Sequence, residues 1–107
     1  MNLKYIYKII NNEELKKAKS SGTYSGSSKD LEDGFIHFSG EDQIESTLRK
    51  YYAGQQNLML LKIETLKLDH LIWEQASDGN FFPHLYSPLD LKSVVKEFAI
   101  YNKTDGS

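Results

Sequence analysis

Three short segments of the chain hold side chains able to do chemistry. Gly34-Phe35-Ile36-His37-Phe38-Ser39 carries an imidazole and a hydroxyl two positions apart, Trp73-Glu74 sets a carboxylate beside the single tryptophan, and Phe82-Pro83-His84-Leu85-Tyr86 adds a second imidazole and a phenol. An imidazole can exchange a proton near neutral pH or bond a ligand oxygen. A carboxylate beside an indole rises in pKa if desolvated and stays ionised if a donor or cation faces it. When extended, the third segment aligns Phe82, His84 and Tyr86 on one side. Such an aromatic wall with two polar tips suits a flat ligand such as a nucleobase.

Each feature also has a structural reading. His37, between Ile36 and Phe38, needs a hydrogen-bond partner or a cavity, and a histidine satisfied inside the fold meets the first requirement. Glu74 fits a strand end in water. The Phe82–Tyr86 segment fits an edge packed on its own core, and taken singly the segments do not decide. His37, His84 and Glu74 could arithmetically hold a metal, but no two of them stand at local ligand spacing and the chain has no cysteine, so no metal is expected. Gly-x-Gly-x-x-Gly, the phosphate-loop motif, His-Glu-x-x-His and Gly-x-Ser-x-Gly are all absent, which removes sequence support for Rossmann-type folds, phosphate-loop enzymes, zinc proteases and serine hydrolases.

Local patterns predict the elements that position these residues. Leu3, Tyr5, Tyr7 and Ile9 alternate with Lys4, Ile6, Lys8 and Ile10, the period of a half-buried strand with Lys8 pointing away from the tyrosine face. Asn11 or Asn12 caps a helix over 12–20 whose first turn holds Glu13 and Glu14. The Ser- and Gly-rich stretch from Ser20 to Lys29, with Tyr24 in it, reads as a surface loop. After the Asp33-Gly34 turn, a strand over 34–38 puts Phe35, His37 and Ser39 on one side and Ile36 and Phe38 on the other. Ser39 is the expected cap of a helix over about 41–53, with Ile44, Leu48, Tyr51 and Tyr52 at helical spacing and Gly54 at its end.

The second half reads as strands. Leu58 to Ile63 is apolar on both faces, as a central strand is, and Ile72-Trp73-Glu74 is a short strand bounded by Asp78-Gly79. Pro83 removes a ladder donor, which favours an edge or an irregular crossing over 81–86. Val94 to Tyr101 closes the set. Strands and helices that alternate only in the first half, followed by strands alone, predict an α+β fold with antiparallel pairing.

A length of 107 residues predicts a single domain over 1–107, with 102–107 as a frayed tail. With 39% apolar and 26% charged residues the composition is that of a globular protein, and a net charge of −2 without blocks of like charge argues against general nucleic-acid binding. Leu58 to Leu61, the longest apolar run, is too short to cross a bilayer, and charges interrupt the N-terminus where a secretory signal would be apolar. No membrane partner and a cytoplasmic location are the expectations.

Taken together, Asp33 to Ser39, Gln43, the Leu58–Ile63 strand, Trp73-Glu74 and Phe82 to Tyr86 resemble the bacterial family called domain of unknown function 952, across nearly the whole chain from Tyr5 to Phe98. That family is uncharacterised biochemically. The resemblance implies an ADP-ribosyltransferase-like fold, a small split and mostly antiparallel β-sheet with two helices, holding NAD in a cleft. Superfamily members with activity transfer ADP-ribose from NAD with a His or Arg on the first core strand, an aromatic or Ser on a second and a Glu on a late strand. Carried onto this sequence, Glu74 and His37 are the catalytic candidates, and Lys8, Ser39, Gln43, Trp73, His84 and Tyr86 surround the substrate. Tyr86 or another aromatic stacks, His37 or His84 bonds ribose or phosphate oxygens, Ser39 seats a phosphate and Glu74 holds a ribose hydroxyl.

The family's first strand typically shows Tyr-His where this chain has Tyr7-Lys8, and a lysine is a mobile point charge without imidazole geometry. Three functions therefore stand as expectations. One is ADP-ribosyl transfer or glycohydrolysis with NAD as substrate and no resident cofactor. The second is a non-catalytic module for a nucleotide or other small molecule. The third is an interaction domain using Tyr24, Tyr51 and Tyr52.

Overall fold

The structure, a computed structural model, describes residues 3–101, and the tail expected over 102–107 lies outside them. The alternating stretch near the start forms β1 (Tyr5–Asn11), which is buried on both faces rather than one. Ile6 and Ile10 enter the main core, while Tyr7 and Ile9 are closed off on the opposite side. Asn11 caps α1 (Asn12–Ser21) by accepting the Glu14 N–H at 2.8 Å, and Gly22, at φ +85°, returns its N–H to Ala18 O at 2.7 Å. The left-handed conformation that ends the helix is one glycine adopts without penalty.

The segment expected to be a surface loop is structured. It contains β2 (Thr23–Tyr24) and the start of α2 (Ser28–Asp33), and Tyr24 is a core residue. A capping box starts α2: Asp30 N–H donates to Ser27 Oγ at 3.2 Å and Ser27 N–H donates back to Asp30 Oδ2 at 2.9 Å. The helix escapes a search for apolar periodicity because its buried side chain is Asp30. Gly34 ends it at φ +85° and β3 (Ile36–His37) follows, with Ile36 and Phe38 in the core as the alternation predicts.

Ser39 does not cap the next helix. Its backbone pairs with Tyr7 through two 2.8 Å hydrogen bonds, and Gly40 starts a single 3₁₀ turn over Glu41–Gln43 that leads into α3 (Ile44–Tyr51). Tyr52 closes α3 by donating to Leu48 O, so the helix is shorter than the expected 41–53.

Strand β4 (Leu58–Glu64) pairs antiparallel with β1 on one side and β8 (Val94–Ile100) on the other, the central position its two-faced apolarity predicts. Strands β5 (Leu71–Gln75) and β6 (Phe81–Leu85) form a hairpin, and β3 adds to it in the order β3-β6-β5. The segment expected at an edge thus lies in the middle of its sheet. Pro83 is tolerated because its carbonyl accepts the Phe38 N–H at 3.0 Å just past the end of β3, so the N–H it lacks falls where that ladder stops. A two-residue ribbon of β2 with β7 (Leu89–Asp90) completes a small α+β fold in which every strand pair is antiparallel. Among the described residues three short α-helices accompany the sheets where two were expected. Among the described residues no helix is long and apolar enough to cross a membrane.

Candidate functional site

The two larger sheets share one core and, among the described residues, a single backbone bridge. Tyr7 of β1 and Ser39, just after β3, exchange backbone hydrogen bonds, and the strands then part instead of continuing the ladder. Parting leaves the N–H and C=O of His37 aimed at the gap, and buried backbone groups need partners. Both partners are charged side chains. The His37 N–H donates to Asp30 Oδ1 at 3.2 Å, and Lys8 Nζ donates to His37 O at 2.9 Å. Lys8 and Asp30 pair with each other at 2.9 Å, with 4% and 2% of their side chains exposed.

Asp30 holds the His37 ring as well as its backbone. The ring presents Nδ1 to Asp30 Oδ1 at 2.5 Å and Nε2 to Asp33 Oδ2 at 3.1 Å. Burial by itself would raise the Asp30 carboxyl, but the His37 ring, the Lys8 charge and the Ser27 N–H outweigh it and hold the group well below the usual carboxylate range. For Lys8 burial dominates and lowers its pKa, with Asp30 offsetting part of the effect. Lys8 therefore faces the core side of β1 and its charge is committed to Asp30 and to the peptide of His37. It fills the split instead of presenting a free ammonium to a ligand.

Directly across the β3–β6 pair from His37 lies His84. Phe35 stands over both: its ring stacks on His84 at 4.0 Å between centroids and meets His37 at 4.6 Å and Tyr86 at 5.2 Å. Behind His84, Glu74 Oε1 takes the ring Nδ1 at 2.8 Å and the Tyr86 hydroxyl at 2.6 Å. These bonds, Tyr86's first and His84's second, lower the Glu74 pKa, and the same bond raises that of the Tyr86 phenol. Alternation in the β5–β6 hairpin puts Glu74 and Phe82 opposite each other on the His84 face, and turns Trp73 and Pro83 to the core face. His37, His84 and Tyr86 thus gather around Phe35, with Glu74 joined to them through His84 and Tyr86.

A cleft of about 770 Å³ opens along the seam between the sheets, within the range of small-molecule sites. His37, Ser39, Phe82 and His84 form one wall, and Tyr51, Tyr52 and Thr47 from the α3 side form another. Lys8 and Asp30 also border it. Glu74 and Tyr86 stand behind His84 and do not line the cleft. Gln43 and Trp73 lie elsewhere, beside a separate depression of about 470 Å³. Gln43 is held structurally, its Oε1 accepting the Gly40 N–H and its Nε2 donating to Phe81 O, both at 2.8 Å. The Ser39 hydroxyl meets Thr47 Oγ1 at 3.1 Å. Among the described residues no group of three or more His, Asp or Glu stands where it could hold a metal ion.

Asp30, Asp33 and Phe35 were not among the catalytic or substrate-binding candidates named from the sequence. The Ser27-x-x-Asp30 spacing is the signal that marks α2, since a capping box places an acid three positions after its serine. Nothing in the sequence signals that this acid is buried against Lys8.

Comparison with known proteins agrees with this architecture. Residues 9–97 match the family described as "Protein of unknown function (DUF952)". The crystal structure of protein CC0527 from Caulobacter crescentus is similar at 43% identity with a TM-score of 0.90, covering 95% of this chain and 90% of that one. A double methionine mutant of CC0527 gives 42% identity and the same TM-score, and the solution NMR structure gives 42% identity with a TM-score of 0.84. No curated protein matches significantly.

Proposed function

The chain belongs to the DUF952 family, and from that premise we propose that the seam between its two sheets is a ligand site for a nucleotide of the NAD type. The single observation that carries this reading is the convergence of His37, His84, Glu74 and Tyr86 around Phe35 at the edge of a cleft of about 770 Å³. A cleft between two antiparallel sheets supports a likeness to the ADP-ribosyltransferase superfamily. Aromatic walls from Tyr51, Tyr52 and Phe82 suit flat rings, and Ser39 and His84 offer polar contacts to ribose or phosphate oxygens.

The reaction this site would support is cleavage of the bond between ribose and nicotinamide, by transfer of ADP-ribose or by glycohydrolysis. Such a bond breaks through an oxocarbenium-like centre, and the negative charge of Glu74, held ionised by His84 and Tyr86, favours positive charge nearby. Incubation of the protein with NAD labelled in the nicotinamide and in the adenine tests both outcomes. Release of nicotinamide above the buffer control is expected. Neither nicotinamide release nor a labelled product, with and without cell extract, removes the enzyme reading.

A second reading, a non-catalytic nucleotide module, is favoured by one observation: the lysine at the family's first-strand histidine position has its charge committed to Asp30 and to His37 O. Chemical-shift titration with NAD, ADP-ribose and adenine nucleotides separates it. Perturbation at His37, Ser39 and Phe82 without turnover selects binding alone, and no perturbation by any of them discards the cleft as a nucleotide site. The interaction reading loses Tyr24, which is buried in the core.

A further inference from the structure

The two carboxylate–histidine contacts of the site are not equivalent. His37 has a carboxylate at each ring nitrogen, Asp30 at Nδ1 and Asp33 at Nε2, so neither nitrogen is left for a ligand. Among the described residues His84 has Glu74 at Nδ1 alone, and its side chain, 14% exposed, lines the cleft. Its Nε2 is the nitrogen left for a molecule in the cleft. Glu74 in turn is not a cleft wall, and it acts on that space through His84.

We infer that Glu74 is a positioning residue that holds His84 in its Nδ1–H tautomer, and that the bare Nε2 of His84 is the proton acceptor of the cleft. A carboxylate that accepts from one nitrogen of a neutral imidazole fixes the proton there and leaves a lone pair on the other. The second donor on Glu74, the Tyr86 hydroxyl, bonds the same Oε1 at 2.6 Å and helps to hold the carboxylate in place. Phe35, stacked on the ring at 4.0 Å and 23° between planes, restrains its tilt. Carboxylate, imidazole and stacking ring come from three different segments, and none of them has another role in closing the core.

The inference rests on the NAD reading for its substrate. In glycohydrolysis a water in the cleft gives a proton to His84 Nε2 as its oxygen forms a bond to the ribosyl C1′. The bond from C1′ to the nicotinamide nitrogen breaks with its electron pair going to that nitrogen, and the imidazolium stays paired with Glu74. A transfer reaction differs in that an acceptor hydroxyl replaces the water. This assigns the base to His84, a residue carried over from the family resemblance as a substrate contact.

Long-range ¹H–¹⁵N correlation spectra of the histidine rings, recorded roughly two pH units above the ordinary imidazole value, test the positioning without any substrate. Wild-type His84 is expected with Nδ1 protonated and Nε2 bare. Glu74→Ala should move the proton to Nε2, whereas Glu74→Gln, which keeps an acceptor oxygen, should leave it on Nδ1. In nicotinamide release, His84→Gln and Glu74→Ala should each lose about 10²- to 10⁴-fold, and the double variant should fall no lower than His84→Gln alone. Backbone spectra of each variant report folding independently. A wild-type His84 protonated on Nε2 overturns the inference whether or not NAD is turned over, and so does full turnover by His84→Gln. If no protein releases nicotinamide, the NAD reading fails, while the tautomer still decides for or against Glu74 as the residue that positions His84.

Discussion

Lys8 and Asp30 stand in for a stretch of β-ladder. Their side chains meet at 2.9 Å with 4% and 2% exposed, and each satisfies one of the His37 backbone groups left over where β1 and β3 part. In register with the Tyr7–Ser39 pair, those groups would otherwise have faced Ile9. An open seam costs unpaired backbone unless something polar fills it, and a buried ion pair fills it without closing the cleft.

Removing one partner of such a pair leaves the other charged and buried. Asp30→Ala is expected to cost about 3–5 kcal/mol, because it strands Lys8, frees the His37 N–H and removes the α2 capping box together. Lys8→Met should cost less, since the His37 ring still faces Asp30. Urea unfolding of the two single variants and the double variant measures this, and independent, additive losses would refute the shared role.

The same carboxylate sets an acid limit on stability. The folded-state pKa of Asp30 lies below its ordinary value of about 3.9, so within that window the unfolded chain binds more protons. Its contribution is then complete above the unfolded value and is lost as pH falls through the folded one. The stability gap between wild type and Asp30→Asn should stay level from neutral pH to about pH 5 and then narrow as urea midpoints are taken down to about pH 2.5. A gap that stays constant with pH would contradict this account.

Gly26 is fixed by its contact with Asp30. It holds φ at +117°, and a Cβ built there would come within 2.7 Å of Asp30 Cβ. Gly22, at φ +85°, has open space around the same position. Both alanine variants pay the conformational term of about 1–2 kcal/mol, and Gly26→Ala should be clearly the worse of the two. Equal losses in thermal or urea unfolding would show that Asp30 yields readily.

Phe35 organises the imidazoles without a hydrogen bond. Phe35→Leu keeps apolar volume but removes ring contacts to His84, His37 and Tyr86, worth about 0.5–1.5 kcal/mol per aromatic pair. The expected signature is a large change in His84 ring-proton shifts as the stacked ring current is lost. Unaltered His84 shifts would mean that the stacking does not persist in solution.

Glu74 and Tyr86 offer a narrower check. Tyr86→Phe removes the donor that contributes most to lowering the Glu74 pKa, leaving His84 as its remaining hydrogen-bond donor. The Glu74 titration, followed by side-chain ¹³C shifts, should therefore move upward. A downward move would reverse the assigned cause.

Local chemistry was enough for the elements whose signals are short-range. The two-faced apolarity of Leu58–Ile63 determined a central strand, Asn11 with Glu13 and Glu14 determined the start of α1, and alternation through Phe35, His37 and Ser39 determined which face each side chain takes. Alternation likewise put Phe82, His84 and Tyr86 on one side, whereas it was the pairing of β5 with β6 that brought Glu74 to them. Those properties repeat every two or four residues, so they are legible without knowing the fold. The identity of the helix over Ser28–Asp33, the central place of Pro83 and the burial of Lys8 were not legible. Each depends on a group far away in sequence: Lys8 is 22 residues from Asp30, and Pro83 is acceptable only because Phe38 meets its carbonyl where β3 ends. A lysine on an alternating strand carries the same local pattern whether it faces water or a buried carboxylate. Tertiary structure decided between them at Lys8, because desolvating its charge is tolerable only where Asp30 and the open peptide of His37 wait for it.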